Sequence, residues 1–267
     1  MLSAASPLPT PSSIADAEAA PDTLALPQGT TIAYRLTQGR APGVVFLGGF
    51  KSDMTGSKAV RLEAFARARG QAFLRFDYQG HGASSGRFEE GTIGTWMLDA
   101  ITVLDVLTTG PQVLVGSSMG GWIMLLVARE RPERIAGLLG IASAPDFTQD
   151  LIWDQLSPGD RQRLLDQGRL AQPSDYGEEP TIITRSLIEE GRNHLLLQSP
   201  LRLACPVRLL HGTADNDVPF DRSLMLLDAI DHDDVELTLV KHGDHRLSDE
   251  RGLALIEATL ARLLDRL

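Results

Sequence analysis

Apolar residues in this chain fall into short runs separated by longer stretches of helical spacing. Val44-Val45-Phe46-Leu47, Ala72 to Phe76, Gln112 to Val115, Ile135 to Ile141, Val207 to Leu210 and Val235 to Val240 are compact and mostly apolar. That pattern predicts buried strands. Between and after them, Ser57 to Arg69, Thr95 to Leu107, Met119 to Arg131, Asp221 to Ala229 and a last stretch from about Asp249 carry helical periodicity. Gly70 ends the first of these and Gly110-Pro111 follows the second, as helix stop signals do. Ahead of them, Thr23 to Leu26 and Thr30 to Leu36 flank Pro27-Gln28-Gly29 and read as a hairpin. Antiparallel strands first and strand–helix alternation afterwards predict an α/β fold. Its central sheet should be mostly parallel, with helices on both faces.

The alternation breaks between Pro145 and Pro200. That stretch is polar and helical in pattern, with Trp153, Leu156, Leu164 and Leu165, then Ile182 to Leu197, and it shows no strand-like run. Lying between two sheet strands, it should project from the C-terminal edge of the sheet. Ligands bind at that edge in open α/β sheets, so residues 145–200 are expected to form a helical lid. Residues 23–267 then make one domain with this insertion, and residues 1–22 a disordered leader. The leader is rich in Ala, Pro and Ser, has Asp16, Glu18 and Asp22, and has no Lys or Arg. Such a composition suits neither a secretory signal nor an Arg-rich presequence, so a cytoplasmic protein is expected.

Bulk chemistry narrows the function classes. The 267 residues include 25 Lys and Arg against 35 Asp and Glu, a formal net charge of −10. With no basic block, binding to nucleic acid or an anionic membrane surface is not expected. The chain has no run of 18 apolar residues, so no membrane span is expected. A single cysteine, Cys205, excludes an internal disulfide framework and reads as a packing residue.

Gly116-Ser117-Ser118-Met119-Gly120 follows a predicted strand and opens a predicted helix. A serine at such a turn projects its hydroxyl into open space, and the helix N-terminus behind it offers unpaired N–H groups. Serine is a weak nucleophile without a base, so an acid and a histidine should follow in order. His245, in Lys241-His242-Gly243-Asp244-His245-Arg246 after the last strand, is the expected base, with His242 as competitor. The acid should come from His211-Gly212-Thr213-Ala214-Asp215-Asn216-Asp217-Val218-Pro219, after the strand Val207 to Leu210. Asp215 lies just beyond that strand and is preferred, and Asp217 is the alternative, readable as a helix cap. His211, at the strand end, reads as structural. Backbone N–H groups of Phe50, in the loop after Val44 to Leu47, and of Met119 are expected to form the oxyanion hole.

Other conspicuous stretches read as scaffold. Asp77-Tyr78-Gln79-Gly80-His81-Gly82 lacks the lysine of a phosphate-binding loop, and Asp77 and His81 are expected to hold loop geometry. Asp231-His232-Asp233-Asp234 reads as a solvated acidic turn. His242 to His245 lacks the helical spacing of a zinc motif. No metal or cofactor is implied.

These segments resemble the α/β-hydrolase superfamily over residues 23–267. More narrowly they resemble the branch of α/β-hydrolase-domain proteins that holds palmitoyl-protein thioesterase and mycophenolic acid acyl-glucuronide esterase. The resemblance is carried by Gly49-Phe50-Lys51-Ser52-Asp53-Met54-Thr55-Gly56-Ser57-Lys58-Ala59, by Arg75-Phe76-Asp77-Tyr78 through Gly91-Thr92-Ile93, and by Gly116 to Trp122. Tyr176-Gly177-Glu178-Glu179-Pro180 and Lys241 to Ser248 add to it. It implies an α/β-hydrolase fold with Ser118 as nucleophile, Asp215 as acid and His245 as base. The expected activity is a serine hydrolase acting on acyl esters or thioesters, with a small molecule or an acylated protein as substrate. A general carboxylesterase or acyl-glucuronide esterase is the alternative, and a catalytically silent ligand-binding protein is the competing class.

Overall fold

The computed structural model describes residues 20–173 and 180–267. The expected leader thus falls almost wholly outside the described residues, as does most of the stretch Tyr176 to Pro180. Strands β1 (Asp22–Ala25) and β2 (Thr31–Thr37) form the hairpin predicted from the sequence. Then come β3 (Arg40–Leu47), helix α1 (Ser57–Ala68), β4 (Gln71–Phe76), α2 (Ile93–Leu107), β5 (Gln112–Ser117), α3 (Met119–Glu130) and β6 (Ile135–Ile141). After an excursion described below, β10 (Val207–Gly212), α6 (Asp221–Ala229), β12 (Val235–Val240) and α7 (Glu250–Leu264) complete the domain.

Eight strands pair in the order β1-β2-β4-β3-β5-β6-β10-β12. The β1–β2 and β2–β4 pairings are antiparallel, and every other pairing in this sheet is parallel. Side chains alternate across it with the period of two that a strand imposes. In β3, Val45 and Leu47 point into one core layer while Val44 and Phe46 point into the other. In β5, Leu114 joins the first layer and Val113 and Val115 the second. The first layer is closed by α2 and α3, with Trp96, Leu104, Trp122 and Leu126, and the second by α1 and α7, with Leu62, Ala66, Ile256 and Leu260. Both faces are covered, which is why these strands read as continuous apolar runs.

The excursion between β6 and β10 differs from its expectation. It holds a π-helical turn (Thr148–Ile152), α4 (Pro158–Gln167) and α5 (Arg185–Gly191). It also contains an antiparallel pair, β7 (Arg169–Gln172) with β8 (Thr181–Thr184). Leu201–Arg202 (β9) pairs with Ile230–Asp231 (β11) beside it. The sequence pattern missed β7 and β8 because each is four residues long, too short to show a period. In addition, Thr181-Ile182-Ile183-Thr184 runs straight into the helical spacing of α5. Thr184 is the junction: extended itself, it accepts the Leu187 N–H and so caps α5.

Two contacts fix the α5 end of the excursion to the core, and Asp146, at its start, ties its two ends together. The Trp122 indole donates to His194 O at 3.0 Å. Glu190 accepts the Gly94 N–H at 3.0 Å, at the start of α2, where a carboxylate also meets the positive end of the helix dipole. Asp146 accepts the N–H groups of Leu196 and Leu197 at 2.8 and 2.9 Å.

Candidate active site

Ser118 sits between β5 and α3 with φ 56° and ψ −120°, a conformation that L residues rarely adopt. The turn is held from both sides. Ser118 N donates to Ile141 O on β6 at 2.9 Å, and Ser118 O accepts from Gly121 N at 2.9 Å and from Ala144 N at 3.1 Å. Small neighbours are compulsory here. A Cβ on Gly120 would lie 2.1 Å from Leu47 O, and one on Gly116 would lie 2.4 Å from Gly120 O. Ser118 occupies the N-cap position of α3, yet its side chain makes no cap bond. The strained turn points the hydroxyl away from the helix, and it meets His245 Nε2 at 3.0 Å.

His245 reaches Ser118 from the loop after β12, and its Nδ1 lies 2.7 Å from Asp215 Oδ2. Asp215, on the loop after β10, is surrounded by donors. Asp217 N and Val218 N bond its Oδ1 at 2.9 and 2.8 Å, and His211 Nε2 lies 3.0 Å from Oδ2. Burial pushes the Asp215 carboxyl up, but hydrogen bonds from His211 and His245, the charge of His245 and the Val218 N–H outweigh it. The group is held well below the usual carboxylate range. It is therefore an anion at neutral pH, as the partner of an imidazolium must be.

Of the competing residues, Asp217 stays near Asp215 and His245, and the others are placed elsewhere. Asp217 is exposed, and His242 is exposed at φ 63° with its N–H on Thr213 Oγ1. His232 accepts the Asp234 N–H, and Asp234 pairs with Arg208 and Arg266. Cys205 is buried, and burial pushes its thiol up to about 11. Asp215, Asp217 and His245 are a grouping among the described residues whose ligand atoms lie within 4.8 Å of one another. His245 Nδ1 and Asp215 Oδ2 are bonded to each other, which leaves little for a metal ion.

Gly49 brings the loop after β3 against Ser118, where a Cβ on Gly49 would stand 3.4 Å from Ser118 Cβ. The next residue is Phe50, whose N–H has no partner among the described residues. Met119 is the first residue of α3, so its N–H has no partner within the helix. Two open donors thus stand next in the chain to Gly49 and to Ser118. The Phe50 ring anchors its loop by edge contacts with Phe88, Trp96 and Phe147, at 4.8, 5.8 and 5.6 Å between ring centres. His81 accepts the Lys51 N–H at 3.3 Å, and Asp77 accepts the N–H of Met54 at 2.6 Å and of Ala83 at 2.8 Å. The turn after β4 therefore braces the Phe50 loop. His81 does so as a neutral ring, because burial pushes its pKa down to about 4.

A cavity of about 1030 Å³ opens onto Ser118 and His245. Phe50, Met119, Phe147, Leu151, Ile152 and Ile183 line its apolar part, so both the core and the excursion contribute. Lys51, Asp53, Lys58 and Arg246 line a polar part. Lys58 donates to Arg246 O at 2.7 Å, which ties α1 to the His245 loop.

Comparison with known proteins agrees with this fold. The alpha/beta hydrolase family matches residues 44–258. Palmitoyl-protein thioesterase ABHD10, mitochondrial, of Rattus norvegicus is 42% identical over 243 residues, covering 90% of this chain and 81% of the relative. The Homo sapiens protein of that name is 40% identical over 242 residues, covering 90% and 79%. Among solved structures, alpha/beta hydrolase domain-containing protein 10 from mouse superposes with TM-score 0.86 at 40% identity, covering 93% of this chain and 99% of that one. A putative hydrolase from Agrobacterium vitis gives 0.87 at 39%, covering 91% and 98%. These relatives also correct one expectation. The mammalian proteins are named as mitochondrial, which points away from a cytoplasmic location. The composition of the first residues had suggested the cytoplasm, and it does not decide the compartment. No helix among the described residues is long and apolar enough to cross a membrane. The chain belongs to the alpha/beta hydrolase family and is a hydrolase.

Proposed function

We propose that this chain is a serine hydrolase that cleaves acyl thioesters, as a palmitoyl-protein thioesterase does, through an acyl-enzyme on Ser118. The observation that carries this reading is the unbroken chain of short contacts from Ser118 Oγ to His245 Nε2 and from His245 Nδ1 to Asp215 Oδ2. His245 takes the Ser118 proton as Oγ attacks the acyl carbonyl carbon. Asp215 orients the ring and stabilises the imidazolium that forms. The carbonyl oxygen becomes an oxyanion between the N–H groups of Phe50 and Met119. When the tetrahedral intermediate collapses, the carbon–sulfur or carbon–oxygen bond breaks and the leaving group takes the proton from His245. Water then repeats the sequence at the acyl-enzyme, releasing the acid and restoring the Ser118 hydroxyl.

The cavity suggests the substrate class. At about 1030 Å³ it stands at the upper end of the roughly 300–1,000 Å³ usual for small-molecule sites. Its apolar part suits an acyl chain, and its polar part, with Lys51, Asp53, Lys58 and Arg246, suits a hydrated leaving group. The excursion, residues 145–200 in the sequence reading, then acts as a lid that supplies part of the acyl wall through Ile152 and Ile183. The relatives named palmitoyl-protein thioesterase support the thioester over a simple ester. The direct test is a substrate profile across acyl length and leaving group, with Ser118→Ala as control. Palmitoyl thioesters should be among the best substrates, and Ser118→Ala should lose several orders of magnitude in kcat. Short p-nitrophenyl esters outrunning palmitoyl thioesters a thousandfold in kcat/KM would make the enzyme a general carboxylesterase instead.

A further inference from the structure

Asp215 accepts more hydrogen bonds than the holding of one imidazole requires. Its Oδ2 faces two histidines, His245 Nδ1 at 2.7 Å and His211 Nε2 at 3.0 Å. His211 Nε2 also lies 2.9 Å from Val218 O. A carbonyl oxygen only accepts, so His211 Nε2 carries a hydrogen shared between Val218 O and the carboxylate. On the far side of the ring, His211 Nδ1 lies 2.6 Å from Ser223 Oγ on α6. With its hydrogen on Nε2, the ring can accept the Ser223 hydroxyl on Nδ1, so Ser223 favours the tautomer in which Nε2 is the donor. Both side chains are sealed from solvent, at 0% exposure for His211 and 1% for Ser223. Ser223, His211, Asp215, His245 and Ser118 therefore form one continuous line of contacts, from the body of the fold to the cavity.

We propose that His211, set in its tautomer by Ser223, is a positioning residue for hydrolysis: it holds Asp215 in place and draws part of the carboxylate charge away from His245. Two effects follow from removing its donor. Asp215 loses a lateral restraint, so His245 is aimed less well. The charge left on Oδ2 also falls on His245 alone, so the imidazolium is bound more tightly and the base is harder to free. Other charged groups near this line are Asp217, Asp244 and Arg246 on the two loops and Lys58 on α1, whose ammonium donates to Arg246 O. Asp217 offers Asp215 its backbone N–H, and the Asp244 carboxylate accepts the Leu247 N–H. All four are present in wild type and variant alike, so His211→Gln, which restores the donor alone, assigns a shift in the pH profile to His211.

The proposal rests on the assignment of Ser118, Asp215 and His245 above, and the experiment keeps the two apart. His211→Leu removes the donor, and His211→Gln keeps an N–H at nearly the same reach. Kinetics against pH with a p-nitrophenyl ester are measured beside fluorophosphonate labelling of Ser118. In His211→Leu, kcat should fall about tenfold to a hundredfold, the loss expected for a hydrogen bond to a charged group, with KM nearly unchanged. The acid limb of kcat/KM should move up by about one pH unit, and His211→Gln should recover most of both changes. A folded, labelled His211→Leu whose acid limb has not moved overturns the proposal, as does a His211→Gln no better than His211→Leu. If His211→Leu does not fold, Ser223→Ala carries the test. It should show a smaller shift of the acid limb in the same direction, and an unmoved limb there overturns the proposal equally. Wild-type protein that takes no label at Ser118 would instead refute the reading on which the proposal rests.

Discussion

Asp215→Asn separates a geometric role for this residue from an electrostatic one, because the amide has nearly the same shape as the carboxylate. The structure says how the amide must sit. Two backbone donors, Asp217 N and Val218 N, converge on Oδ1, so the amide oxygen is held there. The amide nitrogen then takes the place of Oδ2, facing His245 Nδ1 at 2.7 Å and His211 Nε2 at 3.0 Å. An amide nitrogen only donates. His245 must accept on Nδ1 and carry its hydrogen on Nε2, toward Ser118, which leaves no lone pair to take the serine proton. Losing the correct tautomer of a triad histidine costs about 10⁴ in kcat, the figure known for the equivalent change in a serine protease. That corresponds to roughly 5.5 kcal/mol of barrier. A second penalty follows, since the other N–H of the amide now faces the His211 N–H, which keeps Val218 O as its acceptor, in a site closed to water. One unsatisfied buried donor costs about 1–3 kcal/mol. At about 2–4 °C per kcal/mol for a domain near this size, the Tm should drop by on the order of 2–10 °C. The assay is kcat for an activated ester together with a thermal melt, and Asp217→Asn is the control. Asp217→Asn should stay within about tenfold of wild type, because its carboxylate is exposed, where solvent screens its charge, and the bond it gives Asp215 comes from its backbone N–H. An Asp215→Asn enzyme within tenfold of wild type, or an Asp217→Asn enzyme as damaged, would refute the assignment of the acid.

Three further outcomes are expected. Gly120→Ala drives a Cβ to 2.1 Å from Leu47 O, a backbone atom that cannot move aside cheaply, so activity should collapse and stability fall by about 1–3 kcal/mol or more; a variant with near-normal kcat and Tm would contradict the packing of the turn. Ile152→Ser, in the apolar part of the cavity, should lower kcat/KM for palmitoyl thioesters about tenfold and leave acetyl esters within twofold, because each buried methylene is worth only up to ~0.8 kcal/mol; equal losses on both would mean that the chain lies elsewhere. His81 should titrate near pH 4 by NMR, since burial pushes its pKa down to about 4, and a midpoint near 6.5 would contradict its place under the Phe50 loop. From about pH 6.5 down to 4 the unfolded chain takes a proton that folded His81 refuses, so this contribution to stability shrinks as the pH falls. Buried Asp99, pushed up to about 6, acts with the opposite sign over about pH 4–6 and offsets it.

Much of the fold was readable because its strands are buried on both faces. Runs such as Ile135–Ile141 and helices such as Asp221–Ala229 have the bounds that periodicity predicts. The order Ser118, Asp215, His245 was readable too, since each residue lies just beyond a strand that ends at the same edge of the sheet. The hairpin of β7 and β8 was not. Four-residue strands carry no period, and their pairing depends on packing that Ile183 shares with Leu164 and Leu170. His211 was read as structural, because a histidine at a strand end gives no sign of its partner. What joins it to Asp215 is the loop folding back over the end of β10. The four-residue spacing of His211 and Asp215 is the one signal in the sequence that could have raised the contact. Asp77 and His81 were read as holding loop geometry, and they do so through the N–H groups of Met54 and Lys51. That their loop is the one carrying Phe50 follows only from the pairing of β3 with β4.

The central claim is that catalysis passes through an acyl group on the Ser118 oxygen. Acid-quenching the enzyme during turnover of a palmitoyl thioester, followed by peptide mapping by mass spectrometry, tests it most directly. The peptide containing Ser118 should carry the palmitoyl group, and the same peptide from Ser118→Ala should carry none. Full turnover with an unmodified Ser118 at every quench time, or an acyl group found on Cys205 instead, would contradict the account.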